Sequence, residues 1–176
     1  MVVVAVDAGN DPILRAIAPL GLAAAHGCAL VVDLDREPTP FPARRSLADL
    51  AEVGPSRDEL TAPVRGVAIL PGGGMDYPEA AGPIAVLAGI WPAVVVAARQ
   101  DLPLPTITTR ALYPGFPTLP SPDGCVWQRV PAGPRPPNGS MALPVLGRRQ
   151  LCQLLAGRIS RRWRWVEAWR RVWESM

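Results

Sequence analysis

"VVVAVDAGNDPILRAIAPLGLAAAHGCALVVDLDRE" spans residues 2–37, and its reading decides the fold. Val2–Val6 is a continuous, mostly β-branched run, the pattern of a strand buried on both faces of a parallel sheet. "DAGNDP" (7–12) supplies turn chemistry. Asp11 stands where an N-cap is needed, and Pro12 where a missing N–H costs a helix nothing. Ile13–His26 reads as the helix, with a kink expected at Pro19 and a stop at Gly27. Ala29–Leu34 is a second strand of the buried type. Strand, helix and strand within about 35 residues make a βαβ crossover, which requires parallel strands.

The pattern repeats downstream. "REPTPFPARR" (36–45) holds three prolines and is a loop. "SLADLAEVG" (46–54) opens with a capping serine and closes at glycine, the marks of a short helix. "GVAILPGGG" (66–74) is a third strand running into a loop expected to be flexible. Glu79–Ile90 is helical, Ala93–Ala97 a strand, and Thr106–Leu112 a further strand. The expected fold is α/β, a doubly wound and mainly parallel sheet flanked by helices, with a Pro-rich segment and a basic amphipathic C-terminal helix. The runs at 2–6, 29–34, 67–70 and 93–97 should share one parallel sheet, the first near its centre. Residues 101–144 hold 11 of the 22 prolines and should be extended and turn-rich, with only short strands. This divides the chain into an α/β part (1–112), a Pro-rich segment packing on it or linking from it (113–146), and a C-terminal helix (147–176).

The 176 residues suffice for one well-buried core, and a hydrophobic content of 49% argues against disorder. Ala80–Ala98 is the longest apolar tract. Gly82, Pro83, Gly89 and Pro92 divide it into a helix and a strand rather than a membrane span. Met1–Val6 lacks a basic region before it and reads as a strand, not a signal peptide. Cys28, Cys125 and Cys152 are odd in number and widely spaced, which suggests buried free thiols in a cytoplasmic protein. Charge is lopsided. Residues 1–124 carry 8 Arg against 13 acids, whereas residues 125–176 carry 10 Arg against 2. Acidic partners therefore belong to the tail.

Four stretches, in order, resemble the ParA/MinD group of deviant P-loop ATPases: "VVVAV" with its helix, "ALVVDLDRE", "SLADLAEVGPSRDELTAPVRGVAILPGGG" and "IAVLAGIWPAVVVAAR". The likeness covers roughly residues 2–112 and lies nearest to short actinobacterial members related to septum-site and Tad-pilus localisation proteins. It implies a phosphate loop K-G-G-x-G-K-[ST] after the first strand, in which backbone N–H groups, a lysine and a metal-binding hydroxyl hold Mg-ATP. The corresponding stretch here is "DAGNDPI". It has one glycine, no hydroxyl at the metal position and two added carboxylates, and the chain contains no lysine at all. The acidic residue expected after "AVVVA" is replaced by Ala97 or Ala98. Asp7, Gly9, Asp11, Asp33 and Asp35 are thus vestigial positions of a degenerate P-loop. No catalytic residue, cofactor or metal is expected. The implied function is that of a pseudo-ATPase scaffold or localisation factor in a bacterial pilus, secretion or division assembly. The alternatives are an atypical nucleotide-binding ATPase of the group and a membrane-associated regulator of a true ATPase.

Other chemistry is sparse. His26, the single histidine, suits the C-terminal dipole of its helix. Asp7, Asp11, Asp33, Asp35 and Asp76 can converge at the carboxyl ends of the strands, where doubly wound folds bind ligands. In "RRWRWVEAWRRVW" (161–173), helical spacing puts Trp165, Val166, Trp169, Val172 and Trp173 on one face, with Arg161, Arg164 and Arg171 on another. Three covers fit the Trp face: the chain's own sheet, a membrane surface of the kind MinD relatives use, and a partner protein. Docking outside its own subunit is the expectation carried forward, with Trp165, Trp169, Trp173 and the three arginines as interaction residues. Protein partners, a true ATPase or an assembly component among them, are expected, and peripheral membrane contact and a homodimer stay open. Nucleic acid is not expected, since no recognition module is visible.

Overall fold

The computed structural model describes residues 2–35, 41, 43–54, 66–98, 102–115 and 124–176. In chain order they form β1 (Val2–Asp7), α1 (Pro12–His26), β2 (Cys28–Asp33), α2 (Leu47–Val53), β3 (Gly66–Pro71), α3 (Tyr77–Ala88), β4 (Ala93–Ala97) and β5 (Thr106–Leu112). The chain continues with β6 (Val126–Arg129), β7 (Met141–Leu143), α4 (Arg148–Leu155) and α5 (Arg164–Glu174). The seven strands make one sheet in the order β3-β2-β4-β1-β5-β6-β7, and every neighbouring pair is parallel. The fold is therefore α/β with helices flanking a parallel sheet. The four runs expected to share that sheet do so, with β1 at its centre.

The valine runs follow from burial on both faces. Successive side chains point to opposite faces of a strand, so a strand covered on both sides needs an apolar residue at every position. Val94, Val95 and Val96 have no exposed surface. On one face Val4, Val6, Val31 and Val95 pack with Leu14, Ile17 and Ala18 of α1. On the other, Leu30, Val32, Val94 and Val96 pack with Leu47 of α2 and with Ile84 and Leu87 of α3. The capping chemistry read from the sequence also holds. Asp11 caps α1 with Pro12 behind it, and Gly27 ends the helix at φ 101° with its N–H on the Ala23 carbonyl at 3.2 Å. α1 runs through the buried Pro19 as a single helix. Ser46 and Asp49 form a capping box on α2.

Several expectations are corrected. In the Pro-rich segment, where only short strands were expected, β6 and β7 extend the sheet beyond β5. The glycine loop after β3 is a packed turn. Gly72 N–H donates to the Asp33 carbonyl at 2.6 Å, and its own carbonyl accepts from Ala48 N–H at 3.3 Å. Gly73 has φ +72°, and a Cβ there would collide with Ser46 and Ala48, so close approach to α2 rather than flexibility requires glycine. Of the three free thiols only Cys125 is buried; Cys28 is half-buried and Cys152 exposed.

The largest correction concerns the tail. Trp165 and Trp169 are 1% and 0% exposed, and together with Val166 and Val172 they belong to the same core as α1 and β1. They reach it because α1 offers Gly21, where any Cβ would overlap both indoles. Trp165 Nε1 donates to Gln128 Oε1 at 2.7 Å, and Trp173 Nε1 donates to the Leu22 carbonyl at 2.7 Å. The Trp165 and Trp169 rings meet edge to face, with centroids 5.9 Å apart. The chain's own α1 thus covers the face expected to dock outside the subunit. Among the described residues no helix is long and apolar enough to cross a membrane.

Candidate functional site

The turn between β1 and α1 stands at the carboxyl end of the central strand, where a doubly wound sheet presents its ligand site. Asp7 closes β1. Its Oδ1 accepts from Gly9 N–H at 2.7 Å, which folds the turn back on itself. Its Oδ2 meets Nη2 of Arg110, from β5, at 2.9 Å. Arg110 Nη1 also donates to the Asp7 and Thr109 carbonyls at 3.3 and 2.8 Å. The guanidinium is thus held against the turn. A Cβ on Gly9 (φ +58°) would come within 3.3 Å of Arg110 Cζ, so glycine admits the arginine as well as the left-handed bend.

Asp11 occupies the N-terminus of α1. Its Oδ1 accepts from the N–H groups of Ile13 and Leu14 at 3.0 and 2.9 Å, the donors that a helix N-terminus otherwise offers to an anion. Its Oδ2 accepts from the Tyr113 hydroxyl at 2.7 Å. Burial first, and then that bond to a carboxylate, push the Tyr113 hydroxyl up to about 12. Beside the turn, Asp33 Oδ1 accepts from Asp35 N–H at 3.0 Å, a strand-end cap. Asp35 itself pairs with Arg15 of α1 at 2.9 Å.

Asp7, Asp11, Asp33 and Asp35 thus all stand at or just beyond the carboxyl ends of β1 and β2, and each carboxylate has a local task. Asp76 does not join them, because it caps α3 in a reciprocal box with Glu79. Among the described residues no three acidic, histidine or cysteine side chains are grouped to hold a metal ion. Among the described residues, four carboxylates (Asp7, Asp11, Asp33 and Asp35) and two guanidinium groups (Arg15 and Arg110) stand at this end of the sheet. His26 sits at the opposite end of α1, with Nδ1 3.0 Å from the Cys28 carbonyl and its ring edge to face with Trp173.

Arg110, Tyr113 and Arg15 were not singled out from sequence. Arg110 left one faint signal, as the lone charge in the strand "TITTRAL". The arginines assigned to interaction, Arg161, Arg164 and Arg171, are all exposed. Arg161 lies across the C-terminal end of α1, over Gly27. No family model matches the chain, and no curated protein and no solved structure matches it.

Proposed function

We propose that the chain is a non-catalytic scaffold or localisation factor of a bacterial assembly, built on a ParA/MinD-type frame and acting through protein contacts. One observation supports this reading above the others: the turn at residues 7–14 is filled by the chain's own charges. An ATPase of that group would use these backbone donors and a lysine to hold phosphate. Here Asp11 takes the donors of Ile13 and Leu14, and Asp7 takes that of Gly9. Arg110, the guanidinium set against this turn among the described residues, is paired with Asp7. A bound nucleotide would have to displace Asp11 from the helix end, losing about 1 kcal/mol of capping. It would then lie among carboxylates with no lysine and no metal-binding hydroxyl to offset the repulsion. What remains is a parallel sheet with a basic C-terminal segment packed on it, suited to tethering.

The experiment measures phosphate release from Mg-ATP by the wild-type chain, alongside the position of a fluorescent fusion in host cells. Background turnover with a discrete cellular position supports the reading. Saturable turnover overturns it. The rival, an atypical nucleotide-binding member of the group, draws on the guanidinium that Arg110 sets beside the turn, and nucleotide-dependent turnover lost in Arg110→Ala would establish it.

A further inference from the structure

We propose that the outer edge of β3, with the groove beside it, docks an extended segment of a partner protein that carries an apolar and an acidic residue two positions apart. β3 is the terminal strand of the sheet and, among the described residues, pairs only with β2. Edge strands are normally blunted by charge, by a proline or by a bulge. The pairing stretch "GVAIL" carries no charge, and its first proline is Pro71, at the last position of the strand. All six residues of β3 are half-buried, whereas β4, equally apolar, is buried throughout. The strand therefore presents apolar surface and main-chain hydrogen-bonding groups together, the combination that strand addition uses.

A groove of about 400 Å³ adjoins this edge on the α1 face. Val67 and Ile69 line it together with Leu20 and Ala24 of α1 and Ile159 of the α4–α5 connection. Its rim carries Arg158 and Arg161. Both are exposed, and no ion pair to either is present among the described residues. Arg161 marks the amino end of β3, since it lies over Gly27, whose carbonyl accepts from Gly66 N–H at 3.0 Å. A strand added at this edge places every second side chain on the α1 face. One such side chain meets Val67 and Ile69 in the groove. The next on the same face reaches the arginines, where a carboxylate is the complementary group. A second copy of the chain fits less well, because its own edge strand "GVAILP" has no acid to answer them.

This inference rests on the reading of the chain as a partner-binding frame, yet the two fail separately. Saturable turnover of Mg-ATP would remove the non-catalytic reading and leave the peptide result standing. The test titrates the full chain, by fluorescence polarisation, against labelled nonapeptides. Each has Val, Ile or Leu at one position, Glu or Asp two residues away in either order, and Thr elsewhere. Saturable binding is expected for at least one peptide. It should weaken by about tenfold or more when the acid becomes Lys, and vanish when the amides facing the edge are N-methylated. Arg158→Glu with Arg161→Glu, both at exposed positions, should reverse the preference towards the Lys peptides. The proposal is overturned if no peptide saturates below about 1 mM. It is equally overturned if N-methylation or the charge reversal changes nothing. Sedimentation showing a dimer abolished by Val67→Lys would overturn it in favour of self-pairing.

Discussion

Replacing Trp165 by alanine separates a helix that belongs to the core from one that serves another molecule. The side chain is 1% exposed and packs against α1 at Gly21. Truncating a buried tryptophan costs about 3–5 kcal/mol through lost transfer energy and the cavity left behind. The change also removes the donor that meets Gln128 Oε1, and Gln128 is itself only 4% exposed. Leaving that oxygen without its partner adds roughly 1–3 kcal/mol. The expected loss is therefore about 5 kcal/mol, against a total stability of roughly 5–15 kcal/mol for a domain. In a chain of this size it corresponds to a fall in Tm of roughly 10–20 °C. Calorimetry and urea unfolding followed by circular dichroism measure it. Trp165→Phe keeps most of the buried ring and should lose much less. A loss below about 1 kcal/mol for Trp165→Ala, with the helix content intact, would refute the packing argument and return the Trp face to an external partner.

Three further outcomes follow from the same packing and charges. Gly21→Ala ordinarily favours a helix, but here the new methyl meets both indoles, so thermal melts should show destabilisation of about 1–3 kcal/mol. Because the Tyr113 hydroxyl is held up at about 12 in the folded state, its contribution to stability is complete below about pH 10 and is lost as pH rises through 12. Tyrosinate absorbance should show the upward displacement reduced but not abolished in Asp11→Asn, because burial is the larger cause. With a thiol reagent in native buffer, Cys152 should react first and Cys125 only on unfolding.

The parallel sheet was legible because β4 is apolar throughout and β1 and β2 are apolar up to their closing aspartates, the pattern that both-face burial demands. Helix limits were legible where the capping side chain was recognised, as with Asp11 and Ser46, whereas Asp76, read as part of an acidic cluster, caps α3 ahead of the expected start at Glu79. β6 and β7, of four and three residues among prolines and arginines, are too short to show a period. The Trp stripe was visible, but a helical pattern records that one face is covered and not what covers it. The missing half of that signal was Gly21, more than 140 residues earlier, whose lack of a side chain makes the room. At the turn, the sequence showed the carboxylates of Asp7 and Asp11 and the absence of any lysine. It did not show their partners, because Arg110 and Tyr113 arrive from about 100 residues away, brought in by β5 pairing with β1.

The central question is whether the turn between β1 and α1 accepts a phosphate. Titration calorimetry of Mg-ATP into the full chain tests this most directly, at low ionic strength, where any attraction would be strongest. Because Asp11 holds the N–H groups of Ile13 and Leu14 and Asp7 neutralises Arg110, no saturable heat is expected up to about 1 mM nucleotide. A saturable isotherm with a micromolar Kd would show that the nucleotide displaces these carboxylates, and would contradict the account.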